Sequence, residues 1–181
     1  MLMNKENLNT LIQRYEEKFY DLINNKENEE IFKWHAVGCF QAAWFSPSAA
    51  TQSFLERFRA ATKECAVLLD NSQVSPTHGI IKMTEQEPEE VERLFVDILF
   101  ADDDGDLSIR QDHIEEFLEG IEAVRQRHFP SFWKFRQDRH CAFTYLALYA
   151  PAENYIYKYS EANEFAKYIE CCVCKSILCG V

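Results

Sequence analysis

Residues 32–45 read FKWHAVGCFQAAWF, two tryptophans and three phenylalanines in one short run. Nearly every direction around a helix drawn over about residues 29–45 is apolar, which marks an element enclosed on all sides. A helix buried in this way needs other elements packed around it, so the run predicts a helical bundle. His35 and Cys39 stand four apart on one helical face and invite a zinc reading. A structural zinc takes four ligands, and no partner pair with supporting spacing is present. Core packing is the simpler reading of the run.

Working outward, apolar residues recur at helical spacing on both sides. Leu8, Leu11, Ile12, Tyr15, Phe19, Leu22 and Ile23 predict a helix over 7–24, and Thr10 with Gln13 forms a capping box that would start its ordered part a turn later. Phe54, Leu55, Phe58, Ala61, Cys65, Leu68 and Leu69 predict one over about 49–70. A short helix is expected at IIKMTEQ (80–86), and another over 88–100 with Pro88 in its first turn. Ser108 and Gln111 make a second capping box ahead of a helix over 108–128. A buried helix follows at 138–149, and a last one starts near Ser160. Between them, NYIYKYS alternates Tyr155, Tyr157 and Tyr159, which predicts a short extended segment near residues 154–159. Only five glycines and five prolines occur, too few turn formers for a many-stranded sandwich. The expectation is a mainly α fold: a single compact bundle of about seven helices over residues 1–170, with a Cys-rich tail at 171–181.

No apolar run approaches the roughly 20 residues of a membrane-spanning helix. The amino-terminal stretch has no basic-then-apolar export pattern. The seven cysteines are therefore expected as reduced thiols in a cytoplasm. Cys39, Cys65 and Cys141 fall in apolar helical patterns and read as small hydrophobes. Cys171, Cys172, Cys174 and Cys179 lack the second ligand pair of a zinc fold. They read as thiols that oxidise if exposed, a metal shared between chains being the alternative.

The formal charge of −11 argues at first against nucleic acid, whose phosphates call for lysine and arginine. The acidity is local, however. Between Glu85 and Glu122 fifteen acids face only Arg93 and Arg110, leaving the rest of the chain at +2. Within that region FADDDGDLSIRQ imitates a calcium loop, with Gly105 at the sixth position and Asp102, Asp104 and Asp106 at the third, fifth and seventh. Phe100 and Gln111 occupy the first and twelfth positions, so two anchoring carboxylates are missing. An acidic loop that caps the following helix is the better reading. For catalysis there is no GxSxG, HExxH or phosphate-cradling GxxxxGK[ST]. No catalytic residue, metal or cofactor is assigned, and the chain is not expected to be an enzyme.

The most suggestive stretch is VRQRHFPSFWKFRQDRH, residues 124–140. Arg125, Arg127, Lys134, Arg136 and Arg139 stand against the single acid Asp138, with Phe129, Phe132, Trp133 and Phe135 between them. Cations hold phosphates while aromatic faces stack on exposed bases. These five cations are the candidate nucleic-acid contacts, with Trp133 and Tyr159 as candidate stacking groups. The competing reading pairs the same cations with the acidic helices of 88–122 and leaves the aromatics in the core.

Three segments carry a family resemblance: FKWHAVGCFQAAW (32–44), GIIKMTEQEPEEVERLF (79–95) and FRQDRHCAFTYLALYAPAENYIYKYSEANEFA (135–166). In order and spacing they resemble the region ahead of the motor in McrB-like AAA-type nucleotidases of modification-dependent, 5-methylcytosine-type restriction systems. Lys33, Trp34, Ala36, Val37, Phe40, Gln41 and Trp44 match that pattern. So do Gln137, Asp138, Tyr145, Leu146, Tyr155, Tyr157, Lys158, Tyr159 and Ser160. The resemblance implies a front region that recognises DNA or a partner, beside a motor that hydrolyses GTP or ATP. That motor's Walker motif has no counterpart here. The expected function is a non-enzymatic, DNA-binding recognition module with an AAA motor or nuclease subunit as a candidate partner. The alternative is a scaffold whose acidic 85–122 face docks a partner subunit.

Overall fold

The computed structural model describes residues 3–25, 29–156 and 159–171, and every regular element among them is helical. In chain order these are α1 (Lys5–Asn24), α2 (Glu29–Trp44), α3 (Phe54–Thr62), α4 (Pro76–Thr84), α5 (Pro88–Arg93), α6 (Leu107–His128), α7 (Arg139–Tyr149) and α8 (Tyr159–Tyr168). Single 3-10 turns lie at Pro47–Thr51, Ala66–Leu68 and Trp133–Phe135, and a π-helical segment at Leu94–Leu99. The fold is a mainly α bundle, as the periodicity predicts. None of the described helices is long and apolar enough to cross a membrane. Residues 154–156 have no regular structure, and 157–158 lie outside the described residues.

Local chemistry sets several helix ends differently from expectation. Asn4, not Thr10, caps α1: its side chain accepts from the Glu6 and Asn7 amides, and the Thr10 hydroxyl donates back to the Glu6 carbonyl within the helix. The reciprocal capping box sits at Ser53 and Glu56 and opens α3. Asp106 caps α6 by accepting from the Ser108 amide. A carboxylate there also suits the positive end of the helix dipole. The expected helix over 49–70 is instead a 3-10 turn, α3 and a second 3-10 turn.

The contacts divide the described chain into two units, one drawn from residues before 33 and after 156, the other from 33–156. In the first, Asn4 donates its amide to the Ile169 carbonyl at 2.8 Å and Asn7 its side chain to the Tyr168 carbonyl at 2.7 Å. Ala166 and Ile169 are buried there, whereas α1 contributes no buried residue.

The second unit holds the aromatic core. Along α2, among the residues whose side chains are described, the buried ones are the stripe Ala36–Phe40–Trp44. Trp34 is 66% exposed and Phe45 55% exposed, which corrects the expectation of a helix enclosed on all sides. A one-sided helix follows because one i, i+4, i+8 stripe is enough to meet the neighbouring helices. Trp44 stacks on Phe40 and meets Phe54, Phe100 and Tyr149 edge-on. The Arg57 guanidinium lies 4.3 Å from the Trp44 ring centre. Gln41, on the same helix, donates its amide to the Leu148 and Tyr149 carbonyls and so satisfies the end of α7. Phe95, in the π-helical segment, packs against Phe58, Phe117 and Tyr145 at 5.3, 4.9 and 5.1 Å between ring centres. Each fully buried ring contributes roughly 1.5–3 kcal/mol.

Candidate recognition surface

The basic stretch 124–140 leaves α6, makes the 3-10 turn Trp133–Phe135 and enters α7. The turn is seated on α4. Gly79 lies so close beneath Phe135 that a Cβ there would come within 2.7 Å of the Phe135 Cβ and 2.9 Å of its Cα. The Ser75 amide donates to the Lys134 carbonyl at 2.8 Å. Gln137 ties the exit of the turn: its amide donates to the Pro76 and Phe135 carbonyls, and its oxygen accepts from the Tyr145 hydroxyl. Phe135 is buried, stacked on Phe132 and edge-on to Phe129. Asp138 caps α7 by accepting from the Cys141 amide at 3.0 Å.

Three of the five candidate cations are closed on glutamates. Arg125 is only 3% exposed. Its guanidinium grips both Glu122 oxygens at 2.8 and 2.7 Å and donates to the carbonyls of Phe129, Pro130 and Phe132. It presents no charge to solvent and is a structural clamp on the end of α6, which corrects its assignment as a nucleic-acid contact. Arg127 grips both oxygens of Glu87, which also meets His128. Arg139 donates to Glu115 at 2.8 Å. The pairs bear on the acids in turn. Hydrogen bonding from Arg127 holds the Glu87 carboxyl down at about 2, and hydrogen bonding from Arg125 holds Glu122 down at about 2.

Lys134 and Arg136 are exposed. Among the described residues Lys134 reaches only the Ser72 carbonyl, at 3.5 Å. Arg136 makes no hydrogen bond or ion pair among the described residues, though its charge helps lower Glu122. Beside them Phe132 is 57% and Trp133 54% exposed. Trp133 and Arg136 line a cleft of about 610 Å³ with Val67, Asn71, Val74 and Pro76. Tyr159 opens α8, and its side chain lies outside the described residues, as do Cys172, Cys174 and Cys179.

About half of the acids of 85–122 are taken up by the same kind of pairing. Eight of the fifteen meet a cation within the chain: Glu85, Glu87, Glu90, Glu92, Asp103, Glu115, Glu116 and Glu122. The calcium-like loop is occupied by its own hydrogen bonds. Asp102 accepts from the Asp104 amide, and Asp103 from the Gly105 amide and the Arg110 guanidinium. Gly105 stands at φ 76°, which the turn needs and glycine adopts freely. Among the described residues no group of three or more His, Cys, Asp or Glu side chains is placed to hold a metal ion. His35 and Cys39 are in contact at 3.4 Å with no further such ligands beside them among the described residues. Cys65 is buried and its thiol pushed up to about 12 by desolvation; burial also raises Cys141. Both thiols are held protonated and unreactive.

No family model, curated protein or solved structure matches this chain.

Proposed function

We propose that this chain is a non-enzymatic recognition module that docks a protein partner through the corner at residues 132–136. The observation that carries the reading is the fate of the basic stretch. Arg125, Arg127 and Arg139 are closed on Glu122, Glu87 and Glu115, while Phe132 and Trp133 stand more than half exposed and Trp133 lines a cleft with Arg136. Tryptophan and arginine at the rim of a pocket are the residue types that anchor protein interfaces. Within residues 124–140 a duplex would find only Lys134 and Arg136 open among the described residues. The resemblance to the region ahead of a McrB-like motor supplies the candidate partner, the AAA motor or nuclease subunit of such a system. The 85–122 face is the weaker docking surface, because more than half of its acids already have a cation partner.

DNA binding is the second reading, favoured by one feature: Lys134 and Arg136 flank the exposed Trp133, two cations beside a stacking face. Co-expression with the motor and nuclease subunits of a McrB-like system separates the two. Stoichiometric co-purification that is lost in Trp133→Ala, with no retardation of modified or unmodified duplex at low salt, supports protein docking. Salt-sensitive duplex retardation without co-purification contradicts it.

A further inference from the structure

We propose that α1 is a self-association helix whose open apolar stripe pairs, antiparallel, with the α1 of a second copy of this chain. The pairing does not depend on the docking proposed at residues 132–136. α1 runs for 20 residues and buries none of its side chains. α8 meets it near its amino-terminal end, through Asn4, Asn7 and Leu11. Beyond that end Ile12, Tyr15, Phe19 and Ile23 share one side and stand between 37% and 47% exposed. The Tyr15 and Phe19 rings lie 6.0 Å apart on that side. A helix in a protein draws most of its stability from packing its amphipathic face, and this face has nothing packed on it among the described residues.

Spacing, charge and size together select the same helix as its cover. Leu8, Ile12, Tyr15, Phe19 and Leu22 follow one another in steps of four, three, four and three. That 3.5-residue period keeps a narrow seam in line with a second helix. The flanks of the seam are compatible with themselves. With the helices antiparallel and Ile12 opposite Tyr15 of the second copy, Leu8 faces its Phe19, Asn9 lies beside its Glu16 and Leu11 beside its Lys18. No like charges meet in this register. The Asn9 amide is placed to donate to the Glu16 carboxylate, and the Lys18 stem covers Leu11 with its ammonium toward Glu161 and Glu164, which line the groove around Leu11. A shift by one heptad would set Lys18 against Lys18 and Glu16 against Glu16, so charge fixes the register. Lys5 meets Leu22 at each end of the seam, where its ammonium reaches water.

Covering the stripe and its flanks removes on the order of 600 Å² per copy, about 1,200 Å² in all, the lower edge of a specific interface. A reversible dimer follows. A lipid surface fits less well. A helix that lies on lipid carries mainly lysine and arginine on its polar face, whereas α1 sets Glu6, Glu16, Glu17 and Asp21 against Lys5, Arg14 and Lys18.

Sedimentation velocity on the full chain tests this, at loading concentrations from about 1 μM to about a hundredfold more. The wild type is expected to pass reversibly from monomer to dimer across that range. Phe19→Glu, with unchanged near-ultraviolet circular dichroism, is expected to weaken the dimer at least about tenfold. Tyr20→Ala removes an exposed ring that lies off the seam and is expected to change nothing. The orientation has its own test. Ile12→Glu and Tyr15→Lys are each expected to dissociate the dimer when made alone. Made together, they set a carboxylate against an ammonium twice across an antiparallel seam and are expected to restore it, whereas a parallel seam would set like charges together. A chain that stays monomeric across the range, a dimer indifferent to Phe19→Glu, or a double substitution that fails to restore association each overturns the inference.

Discussion

The two halves of one basic stretch meet opposite fates. In the half that ends α6, Arg125 is buried with five hydrogen bonds and Arg127 is gripped by Glu87, the residue just ahead of α5. In the half built on the 3-10 turn, Lys134 and Arg136 face solvent beside two exposed aromatics. Composition is nearly the same in both; backbone geometry differs. A long helix carries its last cations alongside the acids of its own previous turn and of its neighbours. A single 3-10 turn seated on Gly79 projects its side chains past them. The first half therefore spends its charge on stability, and the second leaves it open to solvent.

That contrast is open to attack, beginning where the effect is largest. Arg125→Ala removes a buried guanidinium that makes five hydrogen bonds, to Glu122 and to the Phe129, Pro130 and Phe132 carbonyls, and is expected to cost about 3 kcal/mol in denaturant unfolding. If instead it costs no more than Arg136→Ala, expected within about 0.5 kcal/mol, the two halves are not different in kind. Gly79→Ala presses a methyl group against the Phe135 backbone. It is expected to cost roughly 1–3 kcal/mol in denaturant unfolding.

Acid should reach the first half before the second. Glu87 and Glu122 have folded values lowered to about 2, against about 4.3 for an unperturbed glutamate. Their contribution is full above the unfolded value and is lost as pH falls from there through about 2. Stability measured by urea titration should fall across that window, and Glu122→Gln should make the fall shallower by about one proton. A small effect is expected of Arg127→Ala. Its side chain is half exposed and its pair is solvated, so a loss of about 0.2–1 kcal/mol is expected. A larger loss would mean that Glu87 is organised as tightly as Glu122.

Much of the bundle is legible in the amino-acid order, because apolar spacing alone places α2, α6 and α7 to within a residue or two. Other features depend on information the order does not hold. The π-helical segment at Leu94–Leu99 looks like a continuation of α5, since its apolar residues fit an ordinary helix equally well. The start of α1 at Lys5 is set by Asn4, whose capping competes with an equally plausible Thr10. Trp34 reads as core because its neighbours are apolar, yet the buried stripe is Ala36–Phe40–Trp44. The candidate site is less legible still. Only Glu122 lies within helical reach of its arginine. Glu87 is forty residues from Arg127 and Glu115 twenty-four from Arg139, so only the packing of α4, α5, α6 and α7 decides which cations stay open.

The most direct test is the salt dependence of duplex binding, followed by anisotropy of a labelled DNA. Each phosphate neutralised steepens the plot of log affinity against log salt by about 0.9. With Lys134 and Arg136 the open cations of the stretch, the result expected is no measurable binding or a slope no steeper than about −2. A slope of about −3 or steeper, flattened by Arg127→Ala and Arg139→Ala, would show those arginines leaving their glutamates for phosphate and would contradict the account.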